Sequence, residues 1–209
     1  MTGTPWVGLC AGLLSMAAFI PYLRSMFQGK TRPNRATWWI WTVVGILIAL
    51  SYHSSGAGHT IWVPVSYVLG PFITAIFSLK YGEGGASLLD KCCFTGTAMS
   101  VLLWLWLKSP FSTLFINLII DFLGALPTIQ KSYRRPEQEN LLAWILFACA
   151  NTLNLFVLKK MAVSHLIYTG YMVFCSYLIL GLLLRRFWPS KVIRTHTIEK
   201  IRPGRTFGE

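Results

Sequence analysis

The chain has 209 residues, 12% of them charged and 54% hydrophobic, with a mean hydropathy of +0.54. A soluble domain carries about 25% charged residues, so this composition excludes a water-soluble protein and fits a bundle of spans of about 20 residues each. The net charge of +12 does not indicate nucleic acid, because most basic residues sit in short connections and in the tail, where they set orientation.

The first predicted helix covers residues 7–27, with Pro21 near its end. The residues before it, Met1 to Trp6, carry no positive charge, and the apolar stretch is longer than a signal-peptide core, so it reads as a retained helix. The second helix covers 36–52 and the third 61–79, which contains Gly70-Pro71. The glycine-rich stretch 82–85 lacks the Gly-Lys-Ser/Thr of a phosphate loop and reads as a turn. Helix four covers 89–107, helix five 111–133 with Pro127 inside it, helix six 141–158 and helix seven 166–188. An internal proline costs about 3 kcal/mol in a soluble helix. Inside a membrane, neighbouring helices satisfy the freed carbonyls. Pro21, Pro71 and Pro127 are therefore compatible with helices and suggest kinks, with Pro21 and Pro127 as hinges.

Orientation follows from Lys and Arg. The first, third and fifth connections and the tail hold sixteen of them, against three (Lys108, Lys159 and Lys160) on the opposite side. That asymmetry places the odd connections and the C-terminus in the cytoplasm and the N-terminus outside. Trp6, Trp38, Trp39, Trp62, Trp144 and Trp188 fall near span ends, where an interfacial aromatic belt is expected.

The chain repeats at an offset of 106 residues: Pro21 falls on Pro127 and Trp38 on Trp144, each pair 17 residues apart. Both segments read apolar helix, proline, basic loop, second proline, tryptophan, apolar helix. The second prolines, Pro33 and Pro136, do not align to the residue. The expected architecture is an all-α membrane protein of seven transmembrane helices in a 3+1+3 order. A first three-helix repeat (1–86) and a linker helix (87–108) are followed by a second repeat (109–188) and a basic cytoplasmic tail (189–209). Moving by an even number of spans preserves orientation, so the repeats are parallel, and such repeats place a binding site at their interface near the midplane.

Pro21-Tyr22-Leu23-Arg24 through Trp38, and Pro127-Thr128-Ile129-Gln130 through Trp144, carry a resemblance to the SWEET and PQ-loop group of small membrane transporters. The Pro-Gln dipeptide of that group stands here as Pro21-Tyr22 and Pro127-Thr128. The sugar transporters of the group place an asparagine in the third helix of each repeat, and helices three and seven contain none. The resemblance implies the fold and a transporter. It further implies that Asp121 takes up a coupled proton, as an aspartate in the fifth helix does in the lysosomal cystine exporter of the group.

Of seven acidic residues, Asp121 alone falls mid-span. A charge there costs roughly 2.5 to 3.5 kcal/mol on insertion scales, so it should face the bundle or a wet cavity. Asn117, Gly124 and Thr128 share its helix face, and Ser15 is its counterpart in the first repeat. Asn151 and Asn154 lie on one face of helix six; helix three adds Ser66, Tyr67 and Thr74, and helix seven Tyr168, Tyr171 and Ser176. The expected proton- or substrate-binding set is Asp121, Asn117, Asn151, Asn154, Tyr67, Tyr171 and Ser15. The structural alternatives are interhelical hydrogen bonding by the asparagines, packing by the tyrosines, and a carboxylate bonded to Asn117 or to helix six.

No metal and no cofactor are expected. The cysteines Cys10, Cys92, Cys93, Cys149 and Cys175 lack metal spacing and read as packing residues, and His53, His59 and His165 lie towards the outer side. No nucleophile, base and orienter stand at a telling spacing, so an enzyme is not expected. The functional expectation is a small-solute transporter or facilitator with alternating access; the alternative is a non-transporting receptor, scaffold or assembly factor of the same fold. Expected partners are the lipid bilayer, a small polar solute, anionic lipid at the basic tail and a second copy in a homo-oligomer, but not nucleic acid. Short loops and the lack of glycosylation sequons point to a bacterial inner membrane.

Overall fold

A computed structural model describes residues 4–54, 62–107, 110–157 and 163–187. The expected outer connections carrying His59, Lys108, Lys159 and Lys160, and the tail from Trp188 onward, lie outside the described residues. So do the side chains of Trp6, His53, Trp62, Ser66, Tyr67, His165 and Tyr168.

Seven helices form among the described residues: α1 (Thr4–Phe27), α2 (Arg35–Ser54), α3 (Trp62–Tyr81), α4 (Leu88–Trp106), α5 (Pro110–Arg134), α6 (Leu141–Val157) and α7 (Val163–Leu184). Their starts have local causes. Asn34 caps α2 by accepting from the Thr37 amide at 3.2 Å, and Asn140 caps α6 by accepting from the Ala143 amide at 2.8 Å. These two caps are themselves 106 residues apart. Ser87 caps α4 in a capping box: its hydroxyl accepts from the Asp90 amide, and the Asp90 carboxylate accepts from the Ser87 amide. Pro21, Pro71 and Pro127 lie inside α1, α3 and α5, as the hydropathy pattern predicts.

The interior mixes apolar clusters, such as Ile40, Val44, Cys93, Ile116 and Ile120, with many polar side chains. Thr37, Thr74, Ser78, Thr128 and Ser132 are buried, while Leu13, Ile20, Leu79, Met99, Leu102 and Ile119 face outward. Exposed bulky apolar side chains around a partly polar interior suit lipid rather than water. Among the described residues, three segments are long and apolar enough to cross a membrane, Val7–Phe27, Leu88–Trp106 and Thr169–Phe187; Val68–Tyr81 and Leu141–Phe156 are apolar but shorter. α2 and α5 are diluted by residues that face the interior, including Thr37, Trp38 and Thr42 on α2 and Asn117, Asp121, Thr128 and Lys131 on α5. They nonetheless turn Ile46, Ile119 and Phe122 outward.

The packing pairs are α1 with α6 and α3, α2 with α3 and α5, α5 with α7, and α6 with α7; α4 lies against α5 and α2. The connections α1–α2, α3–α4 and α5–α6 meet at one end of the bundle. The Arg32 amide donates to the Gln138 carbonyl at 3.0 Å, the Arg35 amide to Glu83 at 2.9 Å, and the Glu83 amide to Pro33 at 2.9 Å. Arg135 pairs with Glu83 at 3.1 Å, and Arg185, just past α7, lies 4.3 Å over the Tyr133 ring. Arg35 threads its guanidinium into the end of α3, donating to the carbonyls of Ser78, Leu79, Gly82 and Gly84. The fork thus ties the last turn of α3 to the glycine-rich turn that follows it and serves as a side-chain cap.

Two expectations are corrected. Lys131 is not a free orienting charge in the fifth connection. It lies buried in the last turn of α5, donates to the Arg32 carbonyl and pairs with the equally buried Glu139. A cation removed from water needs a counter-charge, and the turn Pro136–Gln138 carries Glu139 inward to supply it. Trp38 and Trp144 do not form an interfacial belt. They are 2% and 4% exposed and point into the bundle, because each indole N–H finds a buried acceptor there.

Candidate functional site: an aromatic cavity between the helices

A cavity of about 110 Å³ lies among α1, α2, α3, α5, α6 and α7. Its walls are built in layers. Trp38 and Trp144 stand one turn inside the starts of α2 and α6. Trp41 and Phe147 stand one turn deeper, and Gly45 and Asn151 another turn on. Each of these pairs is separated by 106 residues, and so are Ser15 on α1 and Asp121 on α5, which also line the cavity. Phe19, Cys175, Ser176 and Ile179 complete most of the remaining wall.

Asp121 is 7% exposed. The Tyr171 hydroxyl of α7 donates to its Oδ2 at 2.8 Å, and the Trp41 indole N–H donates to its backbone carbonyl at 3.1 Å. The other carboxylate oxygen, Oδ1, takes no hydrogen bond among the described residues. The structural alternative of a bond to Asn117 or to helix six is therefore corrected to a bond with α7. Asp121 is the one charged side chain in the lining among the described residues.

Close helix approach makes this geometry available. A Cβ on Gly124 would lie 2.9 Å from Ile40 Cγ2 and from Trp41 Cδ1, so the bare glycine lets Trp41 reach across to α5. Gly70 plays the same part for Phe19, whose ring lies 2.4 Å from where a Cβ would stand.

The expected site residues divide. Ser15, Asp121 and Asn151 line the cavity, and Tyr171 reaches it through Asp121. Asn151 donates to the Met172 carbonyl at 3.4 Å, which ties α6 to α7. Asn117 is buried on the same α5 face as Asp121, Gly124 and Thr128 but is not in the lining, and its Oδ1 has no partner among the described residues. Asn154 is half-buried and also outside the lining, and the Tyr67 side chain is not described. The hinge candidates Pro21 and Pro127 flank the cavity on the side of the interlocked connections, where the Pro21 carbonyl accepts from Asn140 at 3.3 Å.

Sequence reasoning missed Phe19, Trp41, Phe147 and Gly45. The 106-residue offset, followed residue by residue beyond Pro21 and Trp38, marks Trp41 against Phe147 and Gly45 against Asn151. It also missed the polar layer on the side of the connections. Tyr22 accepts from the Trp38 indole at 3.2 Å and donates to Glu139 Oε1 at 3.4 Å, while the Trp144 indole donates to Glu139 Oε2 at 3.0 Å. With Lys131 this is a closed, buried network one layer beyond the tryptophans. A glutamate in a connecting turn gives no sequence signal of burial.

No family model, curated protein or solved structure matches the chain.

Proposed function

We propose that this chain is a multi-pass transporter or facilitator of a small solute. It works by alternating access between two like-oriented three-helix units, α1–α3 and α5–α7, with α4 as the linker. The observation that carries the reading is the cavity itself, whose lining pairs Ser15 with Asp121, Trp38 with Trp144, Trp41 with Phe147 and Gly45 with Asn151 at one constant offset. The helix contacts support it. Exchanging α1 with α5, α2 with α6 and α3 with α7 turns α1–α6 into α5–α2, α2–α3 into α6–α7, and α1–α3 into α5–α7, and all of these pairs are in contact. A pseudo-twofold axis along the membrane normal produces that pattern, and sites at such an axis are reached by rocking one unit against the other. The resemblance to the SWEET and PQ-loop group points the same way.

In this reading Asp121 is the ion-binding group of the site. The tryptophan layer and the Lys131–Glu139–Tyr22 network close the path towards the interlocked connections, and they part when the units rock about Pro21 and Pro127. The basic connections face the cytoplasm of a bacterial inner membrane.

The test is solute flux into proteoliposomes across a panel of sugars, amino acids, vitamins and amines. The wild-type protein moves at least one solute in a saturable manner. Asp121→Asn, with its thermal unfolding profile intact, abolishes ion-dependent accumulation. Absence of flux for every solute, together with co-purification of a stoichiometric protein partner, overturns the reading.

A further inference from the structure

Five aromatic rings around the cavity form a closed circuit of edge-to-face or near edge-to-face contacts. Phe19 meets Trp38 at 6.0 Å, Trp38 meets Trp41 at 5.2 Å, Trp41 meets Trp144 at 6.2 Å, Trp144 meets Phe147 at 5.7 Å, and Phe147 returns to Phe19 at 5.1 Å. The circuit draws on three helices, α1, α2 and α6, and all five residues line the cavity.

The three indole donors of the circuit are already engaged. Trp38 donates to Tyr22, Trp41 to the Asp121 carbonyl and Trp144 to Glu139. What these rings present to the cavity is therefore π surface and carbon edge. The Ser176 hydroxyl is likewise turned back, at 2.9 Å, to the Met172 and Val173 carbonyls of its own helix. The lining is thus rich in aromatic surface, and the donors left to it are the Ser15 hydroxyl and the second N–H of Asn151. Among the described residues its single charge is the Asp121 carboxylate, with Oδ1 open, and no described Lys, Arg or His side chain lines the cavity to neutralise it.

Such a wall repels anions and gives a polyhydroxylated solute few donors. It suits a cation, because the face of an aromatic ring carries negative quadrupolar potential and attracts a positive charge most strongly where water is excluded. A primary ammonium would lose hydration that these walls replace poorly, whereas an N-alkylated one needs few hydrogen bonds and offers methyl groups to ring faces. We propose that the cavity binds a small alkylated ammonium cation, its methyl groups against the aromatic circuit and its charge balanced by Asp121. This names the substrate class of the transporter proposed above and rests on that reading for the role of the site.

Isothermal titration of the full chain in nanodiscs with choline, and with its uncharged isostere 3,3-dimethyl-1-butanol, tests the proposal. The two ligands share shape and hydroxyl and differ in charge. Choline binds at least about tenfold more tightly than the isostere, the minimum expected of a desolvated cation–π site with a counter-charge. Asp121→Asn weakens choline by about tenfold or more and leaves the isostere unchanged. Phe147→Leu, which removes a ring but no hydrogen bond, weakens choline more than the isostere and supplies the answer if Asp121→Asn fails to fold. Equal affinities for the two ligands, or no choline binding to the wild-type protein, overturns the proposal. Labelled choline flux in proteoliposomes separates the two readings. Binding without flux keeps the site and removes the transporter, whereas flux of an uncharged solute without choline binding keeps the transporter and removes the ammonium.

Discussion

At positions 106 residues apart, the segments α1–α3 and α5–α7 place different chemistry on matching walls. Around the cavity the first contributes Ser15, Trp41 and Gly45 and the second Asp121, Phe147 and Asn151; outside its lining, Ala18 and Ser25 stand against Gly124 and Lys131. The capping residues are the same, Asn34 and Asn140, and so are the inward tryptophans, Trp38 and Trp144. What is shared concerns how helices start and how they pack. What differs concerns charge, which is concentrated in the second segment. A bilayer interior makes each ionisable group costly. One acid in the cavity and one ion pair beyond the tryptophans make the interior chemically directional.

The comparison can be broken by substituting matched positions and following unfolding in detergent. The largest effect is expected at the ion pair. Glu139→Ala leaves Lys131 buried without a counter-charge and costs about 3–5 kcal/mol. Ser25→Ala, at the position matching Lys131, removes only a hydroxyl pair with Thr31 at 2.7 Å and costs about 1 kcal/mol. Equal losses at the two places would mean that the difference in charge has no structural weight. Next comes the close approach of α2 to α5. Gly124→Ala drives a Cβ into Ile40 and Trp41, costs about 1–3 kcal/mol and shifts Trp41 from the Asp121 carbonyl, seen as a changed near-ultraviolet tryptophan dichroism. At the matching position, Ala18→Gly costs about 1–2 kcal/mol, from helix propensity and the loss of a fully buried methyl group, and leaves that signal unchanged.

The smallest effects sharpen what is shared. Asn34→Ala and Asn140→Ala each lose a helix cap, about 0.5–2 kcal/mol. The loss at Asn34 is the larger, because its amide also donates to the buried Asp90 carboxylate at 3.3 Å, while the Asn140 amide donates to the neutral Pro21 carbonyl. Identical losses would indicate that the Asp90 contact contributes nothing.

Much of this protein was legible in advance for a simple reason: hydropathy along a helix reports what each face touches. The helix bounds fall within a few residues of those expected, and the α5 face of Asn117, Asp121, Gly124 and Thr128 is buried as its spacing implies. Trp38 and Trp144 depart from the belt because an indole is apolar over its body and polar at one edge, so a position near a span end suits a headgroup and a buried acceptor equally. Lys131 was misread because a Lys in a terminal turn belongs to solvent unless something folds back to meet it, and Glu139 comes from the next turn of chain.

The one-dimensional order of residues by itself determined that the chain is helical, that its outer surfaces are apolar, and that one carboxylate must face inward. Those are properties of single helices and of their solvent. Only the tertiary structure decided that rings from three helices close on one another, that their indole donors are engaged, and that Asp121 on α5 meets Tyr171 on α7. Such contacts depend on which faces of separate helices oppose each other, and no local pattern encodes that choice.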